Sequence, residues 1–317
     1  MTDSPLLKRG RTCEACVGQF GAVKTMWRDG LRLALRLTLG LLGAALLTAA
    51  LLLLARPEIG HSLSLLDRLT SVLHGDFGVS RASGSATALE LARRLPATLE
   101  LIGLGAAVAL LVGIPLGLLI GASRTLRAAV PLIQFAAATP LFCIALALIW
   151  LVTEGRWPLG AQGYLPPPPL AGSDLGTEWL RALRAIALPA LTVGLAGAGA
   201  VEAALSRALA KALDEPYRRG LRRFGLSQWE IDLHYVVPEV AAGFAAQLGE
   251  IALALIAAAA VTEWVFQWPG VAALFVKAMA LQDWPVAAVI LFLFAAFKFL
   301  VEFAGALAVR SLSVAVP

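Results

Sequence analysis

Runs of about 20 predominantly apolar residues, parted by short polar segments, recur along the 317-residue chain and limit its fold more than any other feature. In hydrocarbon every backbone amide must be satisfied internally, so a segment crosses a bilayer either as a helix or as part of a closed barrel. Leu, Ala, Val and Gly at this run length fit helices. The expected fold is therefore an all-α polytopic membrane bundle of about six transmembrane helices. Residues are 59% hydrophobic and 15% charged, against roughly a quarter charged in soluble domains. Such spans and their loops use up the length, which leaves no room for a separate soluble catalytic domain.

The positions of Lys and Arg set the expected topology, because they gather on the cytoplasmic side. A polar tail, 1–30, precedes a first, uncleaved span from about Leu33 to Ala55 in a membrane domain of 31–310, and a short tail, 311–317, follows it. Both tails are expected in the cytoplasm. Exterior segments are expected at 56–96, 154–186 and 262–285, the second stiffened by the proline run Pro166 to Pro169. The net charge of +5 lies at membrane flanks and forms no stripe with aromatics, so topology explains it better than nucleic acid does. Cys13 and Cys16 have the spacing of half a zinc site, but no second pair completes it, and they read as free thiols. No metal site is expected.

The most polar insert, 214–239, separates two long apolar runs and carries Arg218, Arg219, Arg222 and Arg223. Charges at that density belong in water. Asp214 and Glu215 favour the positive end of a short helix whose first turn accepts Pro216, and Gly225 supplies a left-handed stop. Ser227 and Glu230 have capping-box spacing for a second helix, with Pro238 at the entry to the next run. The prediction is a compact helical elbow that protrudes from the membrane.

Other residues stand out within the spans. Pro96 is expected to start the second span, and Pro115, between Gly113 and Gly117, to bend it. Leu188-Pro189 is expected to open the fourth. Glu202 lies near the inner end of that span with no evident partner. Gln247 and Glu250 put polar groups inside the fifth, where a carboxylate lines a watery path or pairs with a cation. Lys298 and Glu302, one turn apart, can neutralise each other in the sixth. Trp268-Pro269-Gly270 and Asp283-Trp284-Pro285 bracket a short helix pinned at the interface.

Several of these stretches resemble the permeases of ABC importers for dipeptides, oligopeptides and nickel. Tyr217-Arg218-Arg219-Gly220-Leu221-Arg222-Arg223-Phe224-Gly225-Leu226-Ser227 is similar to the family's coupling loop, the EAA motif, although Gly220, Leu221, Arg223 and Phe224 depart from its pattern. Arg94 to Leu101, Gly113 to Gly117, Thr139 to Phe142, Leu188 to Gly194, Glu263 to Gly270 and Gln282 to Val286 resemble it too. The resemblance implies a permease of the bacterial inner membrane that imports small peptides, with nickel or other metal chelates as the alternative within the family. It implies a second homologous permease, two cytoplasmic ATPase subunits and an extracytoplasmic solute-binding protein as partners, with ATP and Mg held by the ATPases and no cofactor in this chain. No Gly-x-x-x-x-Gly-Lys-Ser/Thr loop occurs, in keeping with a subunit that is not itself an enzyme.

On that resemblance the ATPase-coupling residues are Glu215, Tyr217, Arg218, Arg219, Arg222, Gly225, Leu226, Ser227 and Pro238. Pro115, Pro140, Gln247, Glu250, Trp268 and Pro269 are candidates for the gate and the translocation path. A secondary transporter that works alone, coupled to an ion through Glu250 and the Lys298/Glu302 pair, is the competing reading.

Overall fold

The computed structural model describes residue 35 and residues 38–46, 79–80, 83–128, 140–153 and 175–314. Both predicted tails, apart from residues 311–314, and most of the first span lie outside these residues. So do Cys13, Cys16 and the proline run.

Among the described residues the protein is helical, with one isolated bridge between Val79 and Ala86. Residues 38–46 are helical, and from Thr87 onward the helices are α1 (Thr87–Ala122), α2 (Arg124–Ala128), α3 (Leu141–Thr153), α4 (Leu175–Asp214), α5 (Tyr217–Arg223), α6 (Gln228–Ile231), α7 (Val237–Ala245), α8 (Leu248–Val265), α9 (Val271–Ala280) and α10 (Trp284–Val314). Four stretches among the described residues are long and apolar enough to cross a membrane: Thr87–Ala122, Leu183–Asp214, Leu248–Val265 and Trp284–Ser311. The predicted third span, from about Val130, is described only from Pro140 onward, where α3 supplies a shorter apolar helix.

The central pair is α1 and α4, packed through glycines. A Cβ at Gly105 would meet Val193, at Gly113 Val201, at Gly117 Leu205 and at Gly121 Leu209. The partners rise together in number, so the two helices run side by side in the same direction. Their backbones approach closely because no side chain intervenes, the usual device where lipid removes the hydrophobic drive for helix association. Gly197 of α4 receives Leu255 of α8, while Gly249 of α8 and Gly305 of α10 meet Glu302 and Ala245 in an antiparallel crossing. The core collects Leu101, Ala109, Val193, Val201, Leu255, Ala259 and Trp268.

Two expected helix starts are corrected. Helix α1 begins at Thr87, so Pro96 lies inside it, and α4 begins at Leu175, so Pro189 lies inside it. Proline removes one amide donor, but tertiary packing on both sides of it carries the helix through. Consequently the ends of the expected exterior segments, 56–96 and 154–186, are helical. The fifth span is broken where one helix is expected: α7 stops at Ala245, and Gln247, near φ −100° and ψ 0°, restarts the chain as α8.

Candidate functional site

The elbow forms as its local chemistry dictates. Helix α5 ends in a Schellman turn: Gly225 has φ +90°, the Gly225 amide donates to the Arg222 carbonyl, and Leu226 donates to Leu221 at 3.3 Å. Leu221 and Leu226 also share an apolar cluster with Ile231, Val236 and Val240, the hydrophobic contact that accompanies this turn. The predicted capping box is present. The Ser227 hydroxyl accepts from the Glu230 amide at 3.3 Å, and the Ser227 amide donates back to Glu230 Oε2 at 2.8 Å. The Ser227 hydroxyl also donates to Glu230 Oε2 at 2.7 Å, and that bond first, then the one from the Ser227 amide, holds the Glu230 carboxyl below its ordinary range.

One feature of the elbow has no local sequence signal. Residues Asp232–Val236 form a π-turn between α6 and α7. The wider turn lets the helix run on to Pro238, whose ring clashes with the carbonyl four residues back in a regular α-helix. Pro238 therefore sits in the first turn of α7 and does not interrupt the chain.

Cross-braces make the elbow rigid. Arg218 donates through Nη1 to the Leu213 carbonyl and through Nη2 to Asp232 Oδ1, both at 2.9 Å, which ties the end of α4 to the π-turn. Gln228 donates to both Asp232 oxygens at 2.7 Å, and Arg222 donates to Gln228. Tyr217 donates to Glu239 Oε2 at 2.8 Å, joining α5 to α7. Burial first, and then that hydrogen bond, push the Tyr217 hydroxyl up to about 12. Arg127 of α2 pairs with Asp214 at 2.9 Å, so the elbow's base is also tied to α2, just beyond the end of α1. Glu215 is half-buried, and Ile231 and Ala212 are fully buried beneath the turns.

What the elbow leaves outside is bulky. Phe224 is 86% exposed and Trp229 73% exposed, with Arg219 and Arg223 exposed beside them. Monomeric surfaces seldom present two large aromatics on one short protrusion, and Trp, Arg and other aromatics are the residues that anchor protein interfaces. Neither Phe224 nor Trp229 was among the predicted contact residues. Their place on the outward side of the cap and the turn was the available signal.

The predicted gate and path residues do not form one cluster. Pro115 is exposed on the side of α1 away from the buried Gly113 and Gly117. Pro140 precedes α3 and accepts from the Cys143 amide at 2.9 Å. The Gln247 carbonyl caps α8 by accepting from Glu250 and Ile251, and Glu250 is exposed. The Lys298–Glu302 pair is present at 2.6 Å. Glu202 is 7% exposed, with one carboxylate oxygen lacking a hydrogen-bond partner among the described residues. No group of three His, Cys, Asp or Glu is placed to hold a metal among them.

Trp268 and Pro269 lie instead at the end of the bundle opposite the elbow. There Trp268 is buried and donates from Nε1 to the Ala97 carbonyl at 3.0 Å. Glu263, Thr98, Ser80 and Asp283 are buried in the same region. Ser80 donates to Asp283 Oδ2 at 2.5 Å.

Against known proteins, residues 113–314 match the family model described as binding-protein-dependent transport system inner membrane component. The chain is 33% identical over 233 residues to the Escherichia coli K12 protein named probable D,D-dipeptide transport system permease protein DdpB, covering 68% of each. It is 29% identical to the E. coli K12 protein named putrescine export system permease protein SapB, covering 67% of this chain and 72% of that one. A Salmonella typhimurium relative, also 29% identical at the same coverage, is named peptide transport system permease protein SapB. The methionine ABC transporter MetNI, in inward-facing conformations, aligns with 70% of this chain and 95% of its own at a TM-score of 0.49 and 20% identity.

Proposed function

The chain belongs to the family of binding-protein-dependent transport system inner membrane components, and from that premise we propose that it is the permease subunit of an ATP-driven importer of small peptides. The observation that carries the proposal is the braced elbow at 214–239, which holds Phe224 and Trp229 out from the bundle.

A polar protrusion that only capped a loop would need no such bracing. This one is tied to α2 and to the end of α4 and runs on through the π-turn into α7. A partner that grips Phe224 and Trp229 therefore moves helices and not a loop. The partner is a pair of cytoplasmic ATPase subunits, which supply ATP and Mg. Closure of their cleft shifts the bundle between two openings through the difference in nucleotide affinity of the two states. A second permease completes the path, and an extracytoplasmic binding protein delivers the solute. The elbow then faces the cytoplasm, in accord with its four arginines.

Small peptides are the proposed cargo because relatives named for dipeptide and peptide transport align over about two thirds of this chain. The test is a proteoliposome assay of the full complex with labelled dipeptide. ATP-dependent uptake that disappears in Phe224→Glu and Trp229→Glu, together with loss of ATPase co-purification, is the expected result. Nickel-chelate uptake without peptide uptake would move the cargo within the family. ATP-driven release of putrescine would reverse the direction, and uptake on an ion gradient without ATPase would overturn the proposal.

A further inference from the structure

Helix α9 has no N-cap of its own. Gly270 precedes it and offers no side chain, yet its first amides are satisfied from two other helices. Glu263, in the last turn of α8, accepts through Oε2 from the Ala273 amide at 2.9 Å and through Oε1 from the Thr98 hydroxyl of α1 at 2.6 Å. Thr98 in turn accepts from the Val271 amide at 2.8 Å. The groups are sealed: Glu263 and Val271 are 0% exposed and Thr98 is 3% exposed. Gly270 is required here because a Cβ would fall 2.1 Å from the Glu263 carboxyl carbon. Trp268, bonded to Ala97, closes one side of the junction. On the other, Leu91 of α1 packs with Val271, Leu274 and Ala278 of α9.

We infer that Glu263 and Thr98 are positioning residues of the transport cycle, which lock α9 to α1 and α8 so that the three travel as one body at the end opposite the elbow. Helix α9 is then no flap that opens by itself. The inference rests on the elbow as the input: displacement there enters α7, passes the break at Gln247 into α8 and reaches α9 through the Glu263 carboxylate. A carboxylate suits this place because both oxygens accept, one from a side chain and one from the backbone. Glutamine keeps one acceptor and turns the other into a donor that faces an amide.

The test uses the full reconstituted complex with spin labels at Arg93 of α1 and Lys277 of α9, both exposed. In the native junction the distance between the labels stays the same in nucleotide-free and ATP-trapped states. A distance that lengthens on trapping makes α9 an independent flap and overturns the inference without any mutant at the junction. Thr98→Val and Glu263→Gln are expected to broaden the distance distribution and reduce uptake, with ATPase co-purification retained. Thr98→Ser restores the hydroxyl, and with it the narrow distribution and the uptake. A Thr98→Val complex with the native distribution also overturns the inference. Loss of ATPase co-purification in the elbow variants reports on the proposed function alone, so the two failures are separable.

Discussion

At the scale of single residues, the elbow's chemistry is sensitive to pH in two separate ranges. Glu230 titrates below its ordinary value of 4.5 because Ser227 donates to its charged form. Its contribution to the capping box is therefore present above 4.5 and is lost as pH falls through the lower folded value. Hydrogen-exchange protection of the α6 amides, taken relative to the intrinsic rate at each pH, should fall in acid, and Ser227→Ala should remove that pH dependence. Tyr217 behaves oppositely, since burial and Glu239 favour its neutral form. Its contribution is complete below the ordinary value of 10.0 and disappears as pH rises toward about 12. Ultraviolet titration of phenolate absorbance should show one late tyrosine, absent in Tyr217→Phe. Gly225→Ala should cost about 1 kcal/mol through its positive φ, read as a lower unfolding temperature of the purified complex.

At the scale of elements, the elbow was legible because its rules are local. Gly225, Ser227 with Glu230, and a cluster of arginines lie within one short stretch, and each acts on its neighbours. The distal junction was not legible, although Glu263 stood within a recognised motif: its partner Thr98 is 165 positions away in sequence. Only the fold brings them together. The helix starts were misread for a related reason, because a proline weighs heavily in an isolated segment and less in one packed on both sides. Two further turns repeat the Schellman pattern with an unexpected residue. Gln267 at φ 53° and Gln282 at φ 55° end α8 and α9, with Trp268 donating to Glu263 and Asp283 to Ala278, both at 2.8 Å. Gln282→Gly should stabilise by about 1 kcal/mol, measured by thermal unfolding in detergent. Along the α1–α4 seam, Gly113→Ala should cost about 1–3 kcal/mol, since its Cβ would fall 2.8 Å from the Ala198 carbonyl oxygen. Gly103→Ala, with nothing within 4 Å, should stabilise by about 0.5–1 kcal/mol in the same measurement.

For the molecule as a whole, the elbow and the α9 junction sit at opposite ends of helices long enough to reach both faces of a bilayer. Helix α1 has 36 residues, about 54 Å at 1.5 Å per residue, against a hydrocarbon core of about 30 Å. Trp229→Cys should thus react with an impermeant thiol reagent from the cytoplasmic side only, and Lys277→Cys from the other side only. Reaction of both from one side would break the proposed topology. The shared direction of α1 and α4 adds a rule of parity. Two neighbours that point the same way demand an odd number of return passes in the chain between them, and α3 is the one apolar helix described there. On the proposed topology α3 belongs to that return pass; removing it would turn over everything downstream, so the arginine-rich knuckle would be delivered to the wrong compartment and the proposed engine would have nothing to hold.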